Sequence, residues 1–326
     1  MIKKLVVYFI FFLSTLLLSD AFAQPLRVGV SSVGASMSSL WVTKERGFFE
    51  KQGLRVDLIY VAGGKAIPAL LAGDIGFSVS AGNSFLAAVM GGADLVIIAG
   101  LINKMPYQLY VKPTISTPND LKGKKIAIAA FGVSSDFAAR IGLMELGLNP
   151  TKDVALIQLG GSASRVSALA AGTVDGTIVS GPPHTTYLEK LGFKQIFDLV
   201  RSKEEFQFTG VVVNRKLIQE KPALIDNFLR SIVEGTHFYK NNAAFVEHVL
   251  EKNLRLNDKE VLKAGYQFYS DLFEAKPYVT RKGLQFIIEE LKRTGQLSKA
   301  VDLDKVVDNQ FVKKLDDEGL FRRLYR

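Results

Sequence analysis

The chain contains no cysteine. Disulfide staples, thiol nucleophiles and thiolate metal sites are therefore excluded, as is a lipid-modified cysteine at an export cleavage site. Histidine is scarce too. His184, His237 and His248 are the three present, and no pair shares metal-ligand spacing with a carboxylate. G-x-S-x-G, H-E-x-x-H and phosphate-loop lysine motifs are missing. Asp74, Asp94 and Asp175 read as turn and strand-edge residues, not as paired acids. These absences leave no candidate catalytic residue, no metal site and no cofactor. The 41 basic residues outnumber 32 acidic ones, for a net charge of +9, but they are scattered. Scattered charge argues against nucleic acid and fits a solvated surface, with a mild bias toward anionic ligands or a membrane surface.

What is present begins with a leader. Lys3 and Lys4 precede an apolar run, Leu5 to Leu18, and Ala21-Phe22-Ala23 forms a small-x-small cleavage site. Residues 1–23 are expected to be a secretory signal peptide, cut near Ala23, since the apolar run is short for a bilayer span. Removing it leaves a charge of +8. With no cysteine to anchor it, the mature protein is expected free in the periplasm, as a monomer. A length of 326 residues predicts roughly two domains, and a hydrophobic fraction of 48% supplies a core to each.

The domains announce themselves as a repeat. Pro68 to Gly82 reads P-A-L-L-A-G-D-I-G-F-S-V-S-A-G, and Ser167 to Gly181, 99 residues on, reads S-A-L-A-A-G-T-V-D-G-T-I-V-S-G. In each, a small-residue helix ends at glycine (Gly73, Gly172), a strand follows, and the strand ends at serine and glycine. Leu26 to Val30 matches Lys125 to Ala129, Gly53-Leu54 matches Gly147-Leu148, and Gly63-Gly64 matches Gly160-Gly161. A period near 100 is too long for a solenoid. It predicts two similar α/β lobes with mainly parallel sheets, whose strand ends point loops at a common cleft. Residues 24–104 plus 212–326 are assigned to the first lobe and 105–211 to the second. The strands Gln108 to Val111 and Phe208 to Val213 mark the two crossings. Met37 to Glu50 is expected to be helical, and so is the chain from Lys216 onward, packed back on the first lobe.

Strand-end loops supply the candidate site. Ser31, Ser36 and Met37 lie in the first loop, with Phe131, Ser134 and Ser135 at the equivalent place in the second lobe. Gly64 opens a further helix, while Ser80, Gly82 and Asn83 pair with Ser180 and Gly181 at two strand ends. Serine hydroxyls and free N–H groups at helix N-termini suit an anion. Two roles are open for Ser36 and Ser134, ligand contact or capping of the first turn. Trp41, Tyr107, Phe131 and Phe206 fit either an apolar pocket wall or the core. Lys65 fits a counter-charge or a solvated helix start, and His184 a ligand contact or a surface turn. Arg140 and Arg165 fall inside predicted helices, pointing away, so the choice between a small anion and a flat heterocycle stays open.

The segments Gly47 to Leu54 (G-F-F-E-K-Q-G-L), Ala72 to Phe77 (A-G-D-I-G-F) and Asp120 to Lys124 (D-L-K-G-K) also carry a family resemblance. From about Leu26 to at least Leu291 the chain resembles the solute-binding receptors of ABC transporters for sulfonates, taurine, nitrate and thiamine-precursor pyrimidines. The resemblance implies a hinged, two-lobed type II periplasmic-binding fold without enzymatic activity. It also implies delivery of a small molecule, a sulfonate or carboxylate anion or a heterocycle, to a membrane permease and its ATPase. A sensing partner of a membrane signalling receptor would use the same scaffold. The pyrimidine-synthesising branch relies on a cysteine-rich motif and histidines, and porphobilinogen deaminase attaches its cofactor through cysteine. A chain without cysteine departs from both.

Overall fold

The computed structural model describes residues 24–61, 65–293, 295 and 299–326. The expected leader and Gly63-Gly64 lie outside the described residues. The first lobe opens with β1 (Leu26–Val30), α1 (Ser38–Glu45), α2 (Phe48–Lys51), β2 (Val56–Tyr60), α3 (Ala66–Ala72), β3 (Phe77–Ser80), α4 (Gly82–Met90) and β4 (Leu95–Ile102). The chain then crosses to β5 (Tyr107–Val111), β6 (Lys125–Ile128), α5 (Ser134–Glu145), β7 (Ala155–Gln158), α6 (Ser162–Ala170), β8 (Gly176–Ser180), α7 (His184–Lys190) and β9 (Lys194–Asp198). It returns through β10 (Thr209–Asn214).

Each lobe is built on one five-stranded sheet, in the order β2-β1-β3-β10-β4 and β7-β6-β8-β5-β9. The repeat seen in sequence is therefore a repeat in space: β1 and β6 are parallel to both neighbours, and α3–β3 corresponds to α6–β8. The strand after each crossing, β5 or β10, enters its sheet antiparallel between two others. The sheets are thus mixed, because a strand arriving from the other lobe inserts from the opposite end. All six residues of β10, from Thr209, lie in the first sheet, with Gly210 opposite Ser80. β4 is buried along its whole length, as its unbroken L-V-I-I-A-G-L-I requires of a strand covered on both faces.

The stretch Met37 to Glu50 is not one helix. Gly47 takes φ of 70°, a left-handed conformation that ends α1 after Arg46 and lets α2 start in a new direction. Gly73 and Gly172 do adopt the matching left-handed caps, at φ of 80° and 75°.

From Arg215 the chain is almost entirely helical: α8 (Arg215–Glu220), α9 (Pro222–Asn241), α10 (Ala243–Leu254), α11 (Lys259–Leu272), α12 (Arg281–Arg293), α13 (Leu303–Val306), α14 (Gln310–Asp317) and α15 (Leu320–Leu324). Ile225, Phe228, Leu229, Ile232 and Val233 give α9 one apolar stripe at helical spacing. Phe228 stacks at 4.2 Å on Phe77 of β3 and at 5.5 Å on Phe49 of α2, which ties the C-terminal helices to the first lobe. Leu284, Ile287 and Leu291 are buried, and Gly295 at φ of 68° follows α12.

Two short segments join the lobes and run side by side. Phe206 N donates to Asn103 O and Phe208 N to Ile102 O, both at 3.0 Å. Between them Gln207 is fully buried; its Oε1 accepts from Thr280 N and its Nε2 donates to Thr209 O.

Candidate functional site

A cavity of about 190 Å³ lies between the lobes, floored by the ends of β3 and β8 and by the crossing residues Tyr107, Phe208 and Thr209. Of the residues singled out from the sequence, Ser31, Ser36, Met37, Ser80, Ser134, Ser135 and Ser180 all line it. Further hydroxyls stand in the lining, where Ser32, Ser84, Ser162 and Thr209 join those six serines.

The capping alternative for Ser36 and Ser134 does not hold. The cap positions are Gly34 and Val133, and neither helix start has a side-chain cap. Ser134 lines the cavity together with Tyr107, whose phenol pKa is raised by burial. Ser135 is committed elsewhere: its Oγ accepts from Ala129 N at 2.9 Å, holding the strand-to-helix loop.

The deciding side chain is one the sequence reading turned away from the cleft. Arg165 lines the cavity and is 2% exposed. Side chains in a helix lean toward its N-terminus, so an arginine in the first turn of α6 reaches back to the strand-end loop. Nη1 donates to Gly160 O at 2.9 Å and Nη2 to Ser162 Oγ at 3.0 Å, while Nε is buried without a partner. No carboxylate pairs with Arg165 among the described residues. Burying a charge without a counter-charge is costly, so this guanidinium is set up for an anion from solution. The first residues of α5 and α6, Ser134 and Ser162, line the same cavity, and a helix N-terminus offers free N–H groups and a positive dipole end to an anion. His184, half-buried, lies in the field of this cation: burial first, and Arg165 second, pull its pKa down to about 4. It is neutral at neutral pH, and Arg165 is the cation of the cavity lining.

The other candidates lie elsewhere. Gly82 is buried against Gln207 and Leu284, and a Cβ there would come within 2.9 Å of Gln207 O. Gly181, at φ of 64°, has the Phe268 ring where a Cβ would stand. Both are glycines for packing and do not line the cavity. Asn83 bridges the lobes instead: its Nδ2 donates to Gly132 O at 2.9 Å. Phe131 is 52% exposed outside the cavity, and its N–H bonds Gln158. Gly64 lies outside the described residues. Trp41 and Phe206 are core residues, Lys65 is exposed, and Arg140 is paired with Asp136 at 2.8 Å. Tyr60, Ile67 and Phe208 were missed and line the cavity. Tyr60 ends β2 on the sheet face, the one signal that could have found it.

A family profile described as NMT1/THI5 like matches residues 35–244. The chain belongs to the NMT1/THI5-like family. Within and around this family its relatives differ in name. A putative aliphatic sulfonates-binding protein of Bacillus subtilis is 26% identical, covering 90% of this chain and 89% of the relative. A putative thiamine biosynthesis protein of Haemophilus influenzae is 24% identical, covering 92% and 97%. Among solved structures, the alkanesulfonate-binding protein SsuA of Xanthomonas axonopodis bound to MOPS superposes with a TM-score of 0.73 at 20% identity, covering 87% of this chain and 98% of that one. The periplasmic nitrate-binding protein NrtA of Synechocystis gives 0.71 at 15%, covering 90% and 88%. These structures share the fold, a two-lobed type II periplasmic-binding architecture.

Proposed function

We propose that this NMT1/THI5-like protein is an extracytoplasmic solute-binding receptor that closes its lobes on a small organic anion and delivers it to an ABC-type permease with its ATPase. Arg165 carries the reading: a buried, uncompensated cation among hydroxyls and helix N-termini, at the bottom of an interlobe cleft. It supports an anion over the flat heterocycle. The names of the sulfonate- and nitrate-binding relatives support it from outside the chain. In this reading the protein acts in the periplasm as a monomer and performs no chemistry. The lobes divide as 24–104 with 212–326, and 105–211, less the strand residues Thr209–Val211 that pair in the first sheet. The paired segments near Asn103 and Phe208 are the hinge.

A thermal-shift screen of small anions tests this, because a ligand that binds only the native state raises apparent stability. Stabilisation by organic anions, with a more compact scattering profile in their presence, is expected. Stabilisation by cations or neutral heterocycles alone would sink the anion reading. The name of the Haemophilus relative favours a second reading, an enzyme of thiamine-precursor synthesis. Turnover of the bound ligand by purified protein would establish it in place of the first.

A further inference from the structure

The two walls of the cavity are chemically unlike. The second lobe presents Arg165, Ser134 and Ser162 at helix N-termini. The first lobe presents serines too, Ser31, Ser32, Ser36, Ser80 and Ser84, but no cation. Among them stand Val33, Tyr60 and Ile67, and at 52% and 47% exposure Val33 and Tyr60 are large apolar side chains left open. Among the described residues the lining contains one cation and no carboxylate.

Three consequences follow for a ligand that fills this space. One guanidinium compensates one negative charge, so the second charge of a dianion would be buried unpaired. An ammonium group would enter the field of Arg165 and find hydroxyls but no carboxylate. A bare inorganic ion would leave Val33, Tyr60 and Ile67 against water, whereas an apolar body would cover them. We infer that the cleft selects monoanions with an uncharged apolar body, the charged group seated at Arg165 on the second lobe and the body lying against Val33, Tyr60 and Ile67 of the first. This rests on the anion-receptor reading above and adds to it which anions are taken and which are refused.

The test is calorimetric titration of the full mature protein, freed of co-purified ligand. The probes are ethane-, propane-, butane- and pentane-1-sulfonate, hexanoate, 2-aminoethanesulfonate and inorganic sulfate. Affinity is expected to climb roughly fourfold per methylene until the cavity is full, the value of burying one CH₂. Ethane-1-sulfonate should bind at least about tenfold tighter than 2-aminoethanesulfonate, which differs by one amine, and sulfate should be weakest. Tyr60→Ala should flatten the chain-length series. A flat series in the unaltered protein, or an amine bound as tightly as its amine-free analogue, would overturn the selectivity while leaving the anion receptor intact. Failure of every anion to bind, or equal affinity in Arg165→Gln, would overturn the receptor reading itself.

Discussion

Arg165 and Ala66 stand at the same place in two copies of one fold. They are 99 residues apart, the offset of the repeat, and both line the cleft from the start of a helix, yet one is a cation and the other a methyl group. The same offset relates His184 in the second lobe to Phe85, fully buried in the first. It also relates Ser135, whose hydroxyl holds a loop together, to Ser36, which lines the cavity without capping its helix. The lobes share sheet order, turn glycines and strand-end loops, which are demands of the scaffold. They differ at Arg165 and Ala66, which both line the cavity. A duplicated scaffold thus carries its cation on one side of the cavity, while hydroxyls line both.

The largest effect should come from removing that cation. Arg165→Gln is expected to weaken binding of organic anions by at least about 30-fold, the low end of the cost of truncating one partner of a buried charge pair. The same variant should be no less stable than the parent without ligand, because an uncompensated buried charge is gone. Calorimetry with a melting curve on each protein checks both signs together. A merely structural arginine would lower the melting temperature and leave affinity alone.

His184 gives the next contrast. Its folded-state pKa of about 4 lies below its ordinary value of about 6.5, so the unfolded chain takes up the proton first. Stability is therefore lost as pH falls from about 6.5 to about 4, by on the order of 2 kcal/mol. Denaturant melts across that window should show this slope, and His184→Gln should flatten it. An unchanged slope would mean that His184 stays solvated.

The two serines separate structure from binding. Ser135→Ala leaves the Ala129 N–H without its acceptor and should cost about 1–3 kcal/mol of unliganded stability. Ser36→Ala should leave stability nearly unchanged and reduce affinity by about 0.5–1.5 kcal/mol. Matched melts and titrations would break the comparison if the two effects were exchanged.

The smallest expected effect is at the rim, where Asn83 reaches across to Gly132 O. Asn83→Ala removes a bond made only when the lobes are close and should weaken ligand affinity by roughly twofold to tenfold. Faster ligand release with an unaltered association rate in stopped flow would identify that bond as a closure contact. A slower association rate with unaltered release would contradict it.

Much of this molecule was legible before its coordinates. The repeat predicted two α/β lobes, and seven of the twelve site candidates gather on one cavity, because strand-end loops face a cleft in any such sheet. What escaped were side chains whose reach depends on tertiary position. Arg165 sits in a helix between small residues, and periodicity carries no sign that its guanidinium folds back to Gly160. Aligning the repeats at their 99-residue offset places Arg165 opposite Ala66, a mismatch that marks a position where the two copies part. Gly82 and Gly181 misled for the opposite reason. Glycine at a strand end signals close approach, but what approaches is Gln207 in one case and Phe268 in the other. The break at Gly47 was hidden because G-F-F-E continues an apolar helical pattern through a residue that leaves it.

The central claim, that the second lobe holds an anion through Arg165, is most directly tested by native mass spectrometry of the protein purified from its own cells. The account predicts a mass increment in the unaltered protein that is released on denaturation as a singly charged organic anion, and no such increment in Arg165→Gln. A cationic or uncharged ligand, or the same ligand retained at the same occupancy by Arg165→Gln, would contradict it.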